Sequence, residues 1–461
     1  MIKTVRDAWK IPELRKKILF TIFALLIFRL GAAIPVPYIN SQELEVYLAA
    51  QSGTILGLMN AMSGSAFSMA TLFALSIQPY INSSIIIQLL TVAIPALERM
   101  AKEGGEEGRK KIASITRYTT VAIGLIQGFG YYSLINSYGL VDTEGLPALW
   151  VGIVIVLSFT AGSAFLMWLG EQITEFGIGN GISIILFAGI VSRFPTMVTD
   201  SIKGVTIWNS VQDGTMTMDT LTAAGMTTQQ AEAQLKLALA PWMIPVIVIG
   251  LLALVVFIVF ISNAERRLPV QYAKRVVGRK MYGGQSTHIP IKVNMSGVMP
   301  VIFASALASI PGTIGGFFPN LYNPDLHPFA APFLGMFSTN GWVYAAIYLL
   351  LIIAFNYFYV AMQYNPVEIA NNLRNNNGTI PGYRPGKPTS DFITKVLGKI
   401  TFIGALFLGV VAVMPIVLGN VTGENISLGG TSLLIVVGVA LDTSRSLESY
   451  MLMRHHKGFL E

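Results

Sequence analysis

Residues 243–261 read MIPVIVIGLLALVVFIVFI, an apolar stretch that contains no charged side chain. A run of about 20 such residues is long enough to cross the hydrocarbon core of a membrane as an α-helix. Residues 151–169 and 341–362 are free of charge over similar lengths. The sequence therefore predicts a protein whose helices lie in lipid.

The composition of the whole chain agrees with this interpretation. Apolar residues make up 53% of the 461 residues and charged residues only 12%, which is more apolar than soluble domains are. The alternation of apolar and polar residues that marks membrane strands is missing, so a β-barrel is disfavoured. Helices must then satisfy the backbone hydrogen bonds internally.

The sequence contains few residues that could bind a metal or take part in redox chemistry. The chain has no cysteine, and its four histidines are scattered. A disulfide framework and a thiolate-bound metal are therefore excluded, and we predict neither a metal site nor a cofactor.

Apolar runs and the residues that break them predict ten spans. An even number of spans places both termini on one side of the membrane. The ten divide into five and five, and because five is odd the second set has the opposite orientation. The predicted spans are residues 18–36, 71–95, 113–136, 151–170, 182–200, 242–262, 295–317, 341–363, 396–418 and 430–450.

These spans define the predicted organisation, an all-α polytopic membrane protein of two pseudo-symmetric, inverted halves. The predicted segments are an N-terminal segment at 1–17, an N-terminal half at 18–200, an external loop and hinge region at 201–241, a C-terminal half at 242–450 and a tail at 451–461. A longer polar stretch at 194–241 is expected to form a small helical hairpin or a flexible loop.

Positive charge favours one side of the membrane. Most of the 31 Lys and Arg residues lie in the termini and in the loops after spans 2, 6 and 8, whereas the opposite loops hold Arg193, Lys203 and Lys236. Because basic loops stay in the cytoplasm, we predict that both termini are cytoplasmic. Polar hairpins at 262–292 and 364–395 lie on the same side and predict a large acidic partner. Basic residues that only set the topology are the alternative.

A short segment precedes the second span. Residues 57–67, GLMNAMSGSAF, are rich in Gly and Met and too short to cross a membrane. Such a segment is typical of a re-entrant half-helix, which is tolerated at membrane depth where protein or a water-filled cavity surrounds it. An ordinary interfacial loop is the alternative.

Isoleucines recur every four residues in the second span. Ile77, Ile81 and Ile85 form one branched apolar stripe, with Gln78 and Asn82 among the polar residues on other faces. Such a stripe is often a core or lipid contact. The polar neighbours favour a position at a partly wet interior.

Longer motifs resemble one family closely. The strings IIQLLT (86–91), MWLGEQITE (167–175) and GIGNGIS (177–183) resemble the SecY family of bacterial protein-conducting channels. The similarity continues in family order through YAKR (272–275), QSTH (285–288), KVNM (292–295), PGYRPG (381–386) and GGTSLLIVV (429–437). Several long motifs in order are far more specific than one short pattern.

The resemblance implies a channel whose two halves surround a central pore and hinge between spans 5 and 6. It passes unfolded polypeptides across the bacterial plasma membrane and releases transmembrane segments sideways into lipid. The implied pore ring consists of Ile77, Ile81, Leu186, Ile302 and Ile435, in which only Leu186 departs from isoleucine. The implied plug is the half-helix at 55–68, with Gly57, Met59, Asn60, Met62, Ser63, Gly64 and Phe67.

The resemblance also implies a lateral gate and docking sites. Candidate polar gate residues are Gln88, Gln127 and Asn294, although a structural hydrogen bond is the alternative for a buried amide. Arg275, Arg279 and Lys280 would meet the phosphates of ribosomal RNA, and Arg384 would couple to the SecA motor. The other implied partners are the SecE and SecG subunits, signal sequences, unfolded preproteins and membrane lipids. The stretch at 194–241 matches no family motif, so no role is predicted for it.

Two other classes of function fit the sequence less well than a channel does. A secondary transporter of small solutes also uses inverted repeats, but it places charges at the membrane midplane. The charges within the predicted spans are few and lie mostly near helix ends: Arg29, Arg117, Asp442 and Arg445. A membrane enzyme is less favoured, because no catalytic cluster stands out. We therefore predict that the chain is not an enzyme.

Overall fold

A computed structural model describes residues 2–50, 55–143, 145–217, 220, 240–272, 275–277, 280–282, 286–318, 321, 328–337, 341–422 and 430–457. In its first part the chain is helical. The helices are α1 (Ile2–Trp9), α2 (Pro12–Gly31), α3 (Ser41–Ala50), α4 (Ile55–Ser63), α5 (Gln78–Ala93), α6 (Pro95–Lys102), α7 (Gly105–Ser137), α8 (Ala148–Phe176), α9 (Gly181–Ser192) and α10 (Phe194–Gln212).

The second part contains both helices and strands. The helices are α11 (Met243–Asn263), α12 (Met299–Phe317), α13 (Ala330–Met336), α14 (Trp342–Gln363), α15 (Pro366–Asn375), α16 (Lys387–Thr422) and α17 (Gly430–Lys457). The strands are β1 (Glu265–Tyr272), β2 (Arg275–Val277), β3 (Lys280–Tyr282), β4 (Ser286–Lys292) and β5 (Gly378–Thr379).

Each of the ten predicted spans falls on a helix of the structure. Six helical stretches of the described chain are long and apolar enough to cross a membrane by themselves, and a seventh appears if α5 and α6, which are bent by 105°, count as one span. Helices α2, α7 and α17 also lie on predicted spans, although their composition is more polar. Length and hydropathy alone therefore identify fewer spans than the full pattern of runs and breakers.

The second predicted span begins later than residue 71. Helix α5 starts at Gln78, with Pro79 in its first turn, where the missing proline N–H costs nothing. The backbone just before it bonds elsewhere: Val36 N–H donates to Ala70 O over 3.0 Å, and Leu72 N–H donates to Ile34 O over 2.9 Å. Ala70 O and Leu72 N–H are thus bonded to the chain that follows α2 and not within a longer α5.

This irregular segment, residues 64–77, contains unusual backbone angles. Ser65, Ala70 and Ser76 have φ of 71°, 45° and 51°, in the left-handed region that side chains with a Cβ rarely adopt. Residues held in this way tend to cluster where a protein functions. The segment joins the predicted half-helix, which the structure places at Ile55–Ser63, to α5.

The polar hairpins predicted at 262–292 and 364–395 form a small β-structure with its own core. Strand β1 pairs antiparallel with β4 on one side and with β5 on the other, and β2 pairs with β3. The core beneath β1 includes Leu268, Val270, Ile380 and Ile393. The two hairpins are therefore packed together, although they lie about one hundred residues apart.

The stretch at 194–241 begins as helix. Helix α10 occupies its first nineteen residues and follows α9 almost directly. Most of the remaining stretch lies outside the described residues.

Candidate functional site

The largest hydrophobic cluster contains residues from both predicted halves. All five predicted ring residues belong to it, and none exposes more than 2% of its surface. Ile77 caps α5, Ile81 lies in the first turn of α5, and Ile302 lies in the first turn of α12. Leu186 comes from α9 and Ile435 from α17. Residues from α5, α9, α12 and α17 thus belong to one apolar cluster, which also contains Ile85.

Helix α4, the predicted plug, packs against this cluster. Met62 is part of the cluster, whereas Met59 and Phe67 belong to a second one. Gly64 has φ of 67°, and a Cβ added there would lie 2.9 Å from Gly189 O of α9. Only glycine permits this close approach. The end of α4 therefore packs backbone to backbone on α9.

Hydrogen bonds hold the chain that follows α4. Asn60 Oδ1 accepts from Ser68 N–H over 3.0 Å, and Ser63 Oγ accepts from Phe67 N–H over 3.0 Å. Phe67 stacks on Tyr131 of α7, with ring centroids 4.3 Å apart, and Phe67 O accepts from the Tyr131 hydroxyl. Tyr131 was not identified from the sequence, because its partner lies 64 residues away. Gly57 is half-buried.

One predicted gate residue pairs across the two halves. Gln88 of α5 accepts a hydrogen bond of 3.0 Å from the hydroxyl of Tyr359 in α14. The Tyr359 ring in turn packs on Phe303 of α12, with centroids 5.4 Å apart. Tyr359 was not identified from the sequence, where nothing separates it from its tyrosine neighbours.

The other two predicted gate residues are half-buried. The side-chain oxygens of Gln127 and Asn294 are buried and have no hydrogen-bond partner within the described part of the chain. Helix α12, which follows Asn294, packs against both α5 and α7. Buried polar atoms of this kind are rare in folded proteins.

The predicted docking residues differ in how far the structure describes them. Arg384 lies exposed in the loop before α16. Arg275 and Lys280 lie on the short strands β2 and β3, and only their backbone is described. Arg279 lies outside the described residues.

Arg117 and Arg445, which lie within predicted spans, make polar contacts. Arg117 and Glu171 approach to 2.9 Å. Arg445 donates to Ser262 O over 2.8 Å and to Asn263 Oδ1 over 2.9 Å, which ties α17 to the end of α11. Burial, together with nearby Arg445, lowers the pKa of Lys292 below its usual value.

The described residues form no cluster of possible metal ligands. They contain no group of three or more His, Asp or Glu side chains able to hold a metal. The five predicted ring residues lie in an apolar cluster, and a short helix packs against that cluster. A helical membrane channel is the class of protein that this arrangement defines.

Comparison with known proteins agrees with that class. The SecY family model matches residues 71–444. The chain is 42% identical to the protein translocase subunit SecY of Halalkalibacterium halodurans and 40% identical to that of Bacillus subtilis, and each alignment covers both chains completely. The chain belongs to the SecY family.

Solved structures show the same fold at lower identity. A protein conducting channel matches with a TM-score of 0.60 and 18% identity over 96% of each chain. Sec61 in the canine ribosome-channel complex matches with a TM-score of 0.57 and 17% identity over 96% of each chain. The predicted helical channel fold is confirmed. The chain is a multi-pass, protein-conducting membrane channel and, as predicted, not an enzyme.

Proposed function

We propose that the polypeptide passes through a ring formed by Ile77, Ile81, Leu186, Ile302 and Ile435. The observation that carries this proposal is the burial of all five in one cluster that contains residues from both halves. An apolar constriction of this kind excludes ions by dewetting. Aliphatic side chains also make no specific hydrogen bond, so any passing sequence is accepted.

The plug role of residues 55–68 belongs to the same proposal. Helix α4 is short and contacts both α9 and α12, which belong to different halves. Its seat combines the glycine backbone contact with α9 and the hydrogen bond that the Tyr131 hydroxyl donates to Phe67 O. A seat with so few directional bonds can be left and regained during each transport cycle.

The lateral gate is proposed to lie between α5 and α7 on one side and α12 and α14 on the other. The bond between Gln88 and Tyr359 supports this assignment, because it joins the two sides directly. The side-chain oxygens of Gln127 and Asn294, which have no hydrogen-bond partner among the residues that the structure describes, are consistent with an interface that exchanges partners as it opens. Transmembrane segments would leave the pore by this route and enter the lipid.

The partners and orientation complete the proposal. We assign the channel to the bacterial plasma membrane, with both termini and both hairpins in the cytoplasm, because most Lys and Arg lie on that side. SecE and SecG would accompany the chain. The ribosome would dock on the basic hairpin with Arg275, Arg279 and Lys280, and SecA would couple through Arg384.

Ion conductance in planar bilayers tests the ring. Ile81→Asn and Ile302→Asn place an amide in the constriction, which favours water there, so openings should become more frequent than in the unaltered channel. The matched controls are Ile81→Leu, which keeps the ring apolar, and Ile249→Asn, which places the same amide on the exposed face of α11. Unchanged conductance in both ring variants would remove the assignment.

A further inference from the structure

The loop that carries Arg384 is held by a buried side chain that has no assigned role. Thr389, in the first turn of α16, exposes only 3% of its surface. Its hydroxyl donates a hydrogen bond of 2.8 Å to the carbonyl oxygen of Arg384. The bond connects the backbone at the arginine directly to the start of a long helix.

Other contacts fix the same loop from both sides of the arginine. Tyr383 N–H donates to Ile380 O over 3.0 Å, and the Tyr383 ring stacks on Phe392 of α16 with centroids 4.2 Å apart. Gly386 O accepts from Thr389 N–H and Ser390 N–H, each over 3.1 Å. The backbone around Arg384 is therefore restrained by the helix that follows it.

The side chain of Arg384 is free in comparison. It is exposed, and among the described residues its guanidinium has no ion-pair partner. An exposed guanidinium on a restrained backbone is suited to bidentate contact with a carboxylate, because less freedom is lost when the contact forms.

We infer that Thr389 is a positioning residue that holds Arg384 in the conformation that the motor binds. This inference rests on the proposed coupling of Arg384 to the motor. Without the Thr389 hydroxyl, the loop would occupy that conformation only part of the time. The apparent dissociation constant rises in inverse proportion to the occupied fraction, whereas the rate at saturation is unaffected.

ATP-driven translocation of a model preprotein, measured against motor concentration, tests the inference. Thr389→Val keeps the shape of the side chain and removes the hydroxyl. Loss of one hydrogen bond of ordinary strength should raise the half-saturating motor concentration about three- to tenfold and leave the saturated rate unchanged. Thr389→Ser retains the hydroxyl and should restore the original half-saturation.

Thr394→Val is the matched control, because the Thr394 hydroxyl bonds within α16, to Ser390 O over 2.9 Å. Equal half-saturation for Thr389→Val and Thr394→Val would overturn the positioning role. So would a defect that Thr389→Ser does not rescue. Should Thr389→Val fail to fold, Phe392→Leu removes the Tyr383 stack instead, and an unaltered half-saturation in that variant would count against a restrained loop.

The same assay separates this inference from the role of Arg384 itself. Arg384→Glu places like charge against an acidic motor surface and should lower the saturated rate, whatever the remaining affinity. A normal saturated rate for Arg384→Glu would refute the proposed coupling. A low rate for Arg384→Glu, with unaltered Thr389→Val kinetics, would refute only the positioning role.

Discussion

Helices α11 and α12 follow each other along the chain but lie in different surroundings. Helix α11 has the higher mean hydropathy, 3.3 against 1.4, yet only 6% of its most apolar window is buried, compared with 67% for α12. Its exposed residues include Val248, Ile249 and Val256. In a membrane the most apolar helix can face lipid on nearly every side, while a less apolar helix lines the interior.

The composition of α12 explains its position. Its buried residues include several Ala, Ser and Gly, which let other helices approach closely, and Ser305 and Ser309 bond to carbonyls of their own helix. Hydropathy therefore indicates that a helix enters the membrane, whereas small residues indicate which helix is packed by protein. Substitutions of equal chemistry in the two helices test this distinction.

The largest difference is expected when a small buried residue is enlarged. Ala304 of α12 is fully buried in the ring cluster, so Ala304→Leu should lower the free energy of unfolding by about 1–3 kcal/mol through overpacking. Val256→Leu, on the exposed face of α11, should change it little. Thermal unfolding of the two purified variants measures the difference. Equal melting temperatures would show that α12 is not closely packed.

Enlarging a residue at the contact between α7 and α12 should have nearly as large an effect. A Cβ at Gly130 would lie 2.4 Å from the ring of Phe317, which is itself buried, so Gly130→Ala should push the two helices apart. Because the chain has no cysteine, cysteines introduced at positions 88 and 359 report closure of the proposed gate through a short thiol cross-linker. We expect a lower cross-linking yield in Gly130→Ala.

Gly250→Ala is the control for that experiment, since nothing lies within 4 Å of a Cβ at Gly250 of α11. It should leave the cross-linking yield unaltered. A yield that falls equally in both variants would attribute the effect to helix propensity, and not to the contact with Phe317.

A smaller effect is expected from the hydroxyl of Tyr359. Tyr359→Phe removes the bond to Gln88, and interhelical hydrogen bonds in membranes contribute about 0.6 kcal/mol on average. The closed gate should be weakened by that amount, so export of a preprotein with a weakly apolar signal sequence should increase two- to threefold, as about 0.6 kcal/mol allows. Tyr357→Phe removes a bond to Gly398 within one half and should not increase it.

The smallest effect concerns the seat of the plug. A Cβ at Gly316 of α12 would lie 3.1 Å from Leu56 of α4, so the neighbour need shift by only a few tenths of an ångström. Gly316→Ala should raise the frequency of ion-channel openings slightly, and Gly250→Ala should not. A large rise would indicate that α12 holds the plug more tightly than this contact implies.

The spans could be predicted from the sequence because burial in lipid requires long apolar runs. The irregular segment before α5 could not be predicted, since its left-handed residues Ser65, Ala70 and Ser76 are not glycines and nothing in the sequence marks them. The pairing of β1 with β5 depends on a core that assembles from both hairpins. The local pattern of apolar and polar residues does not reveal contacts between segments that lie about one hundred residues apart in the sequence.

The candidate site divides in the same way. The stripe of Ile77, Ile81 and Ile85 is visible as a repeat of four residues, and the family motifs supplied the remaining ring positions. Tyr359 and Gln88 lie 271 residues apart, so only the folded arrangement pairs them. The same applies to Thr389, because its hydroxyl reaches Arg384 O only if the preceding loop turns back toward α16.

The length of α16 has a mechanical consequence. At about 1.5 Å per residue its 36 residues extend about 54 Å, well beyond a hydrocarbon core of about 30 Å. Pro415 lies near the far end, where it weakens the helix, and the Arg384 loop lies at the other. The part of α16 between its first residue and Pro415 is about 42 Å long at the same rise. A swing of about 5° around Pro415 would move the arginine by about 4 Å, roughly the rise of three helical residues.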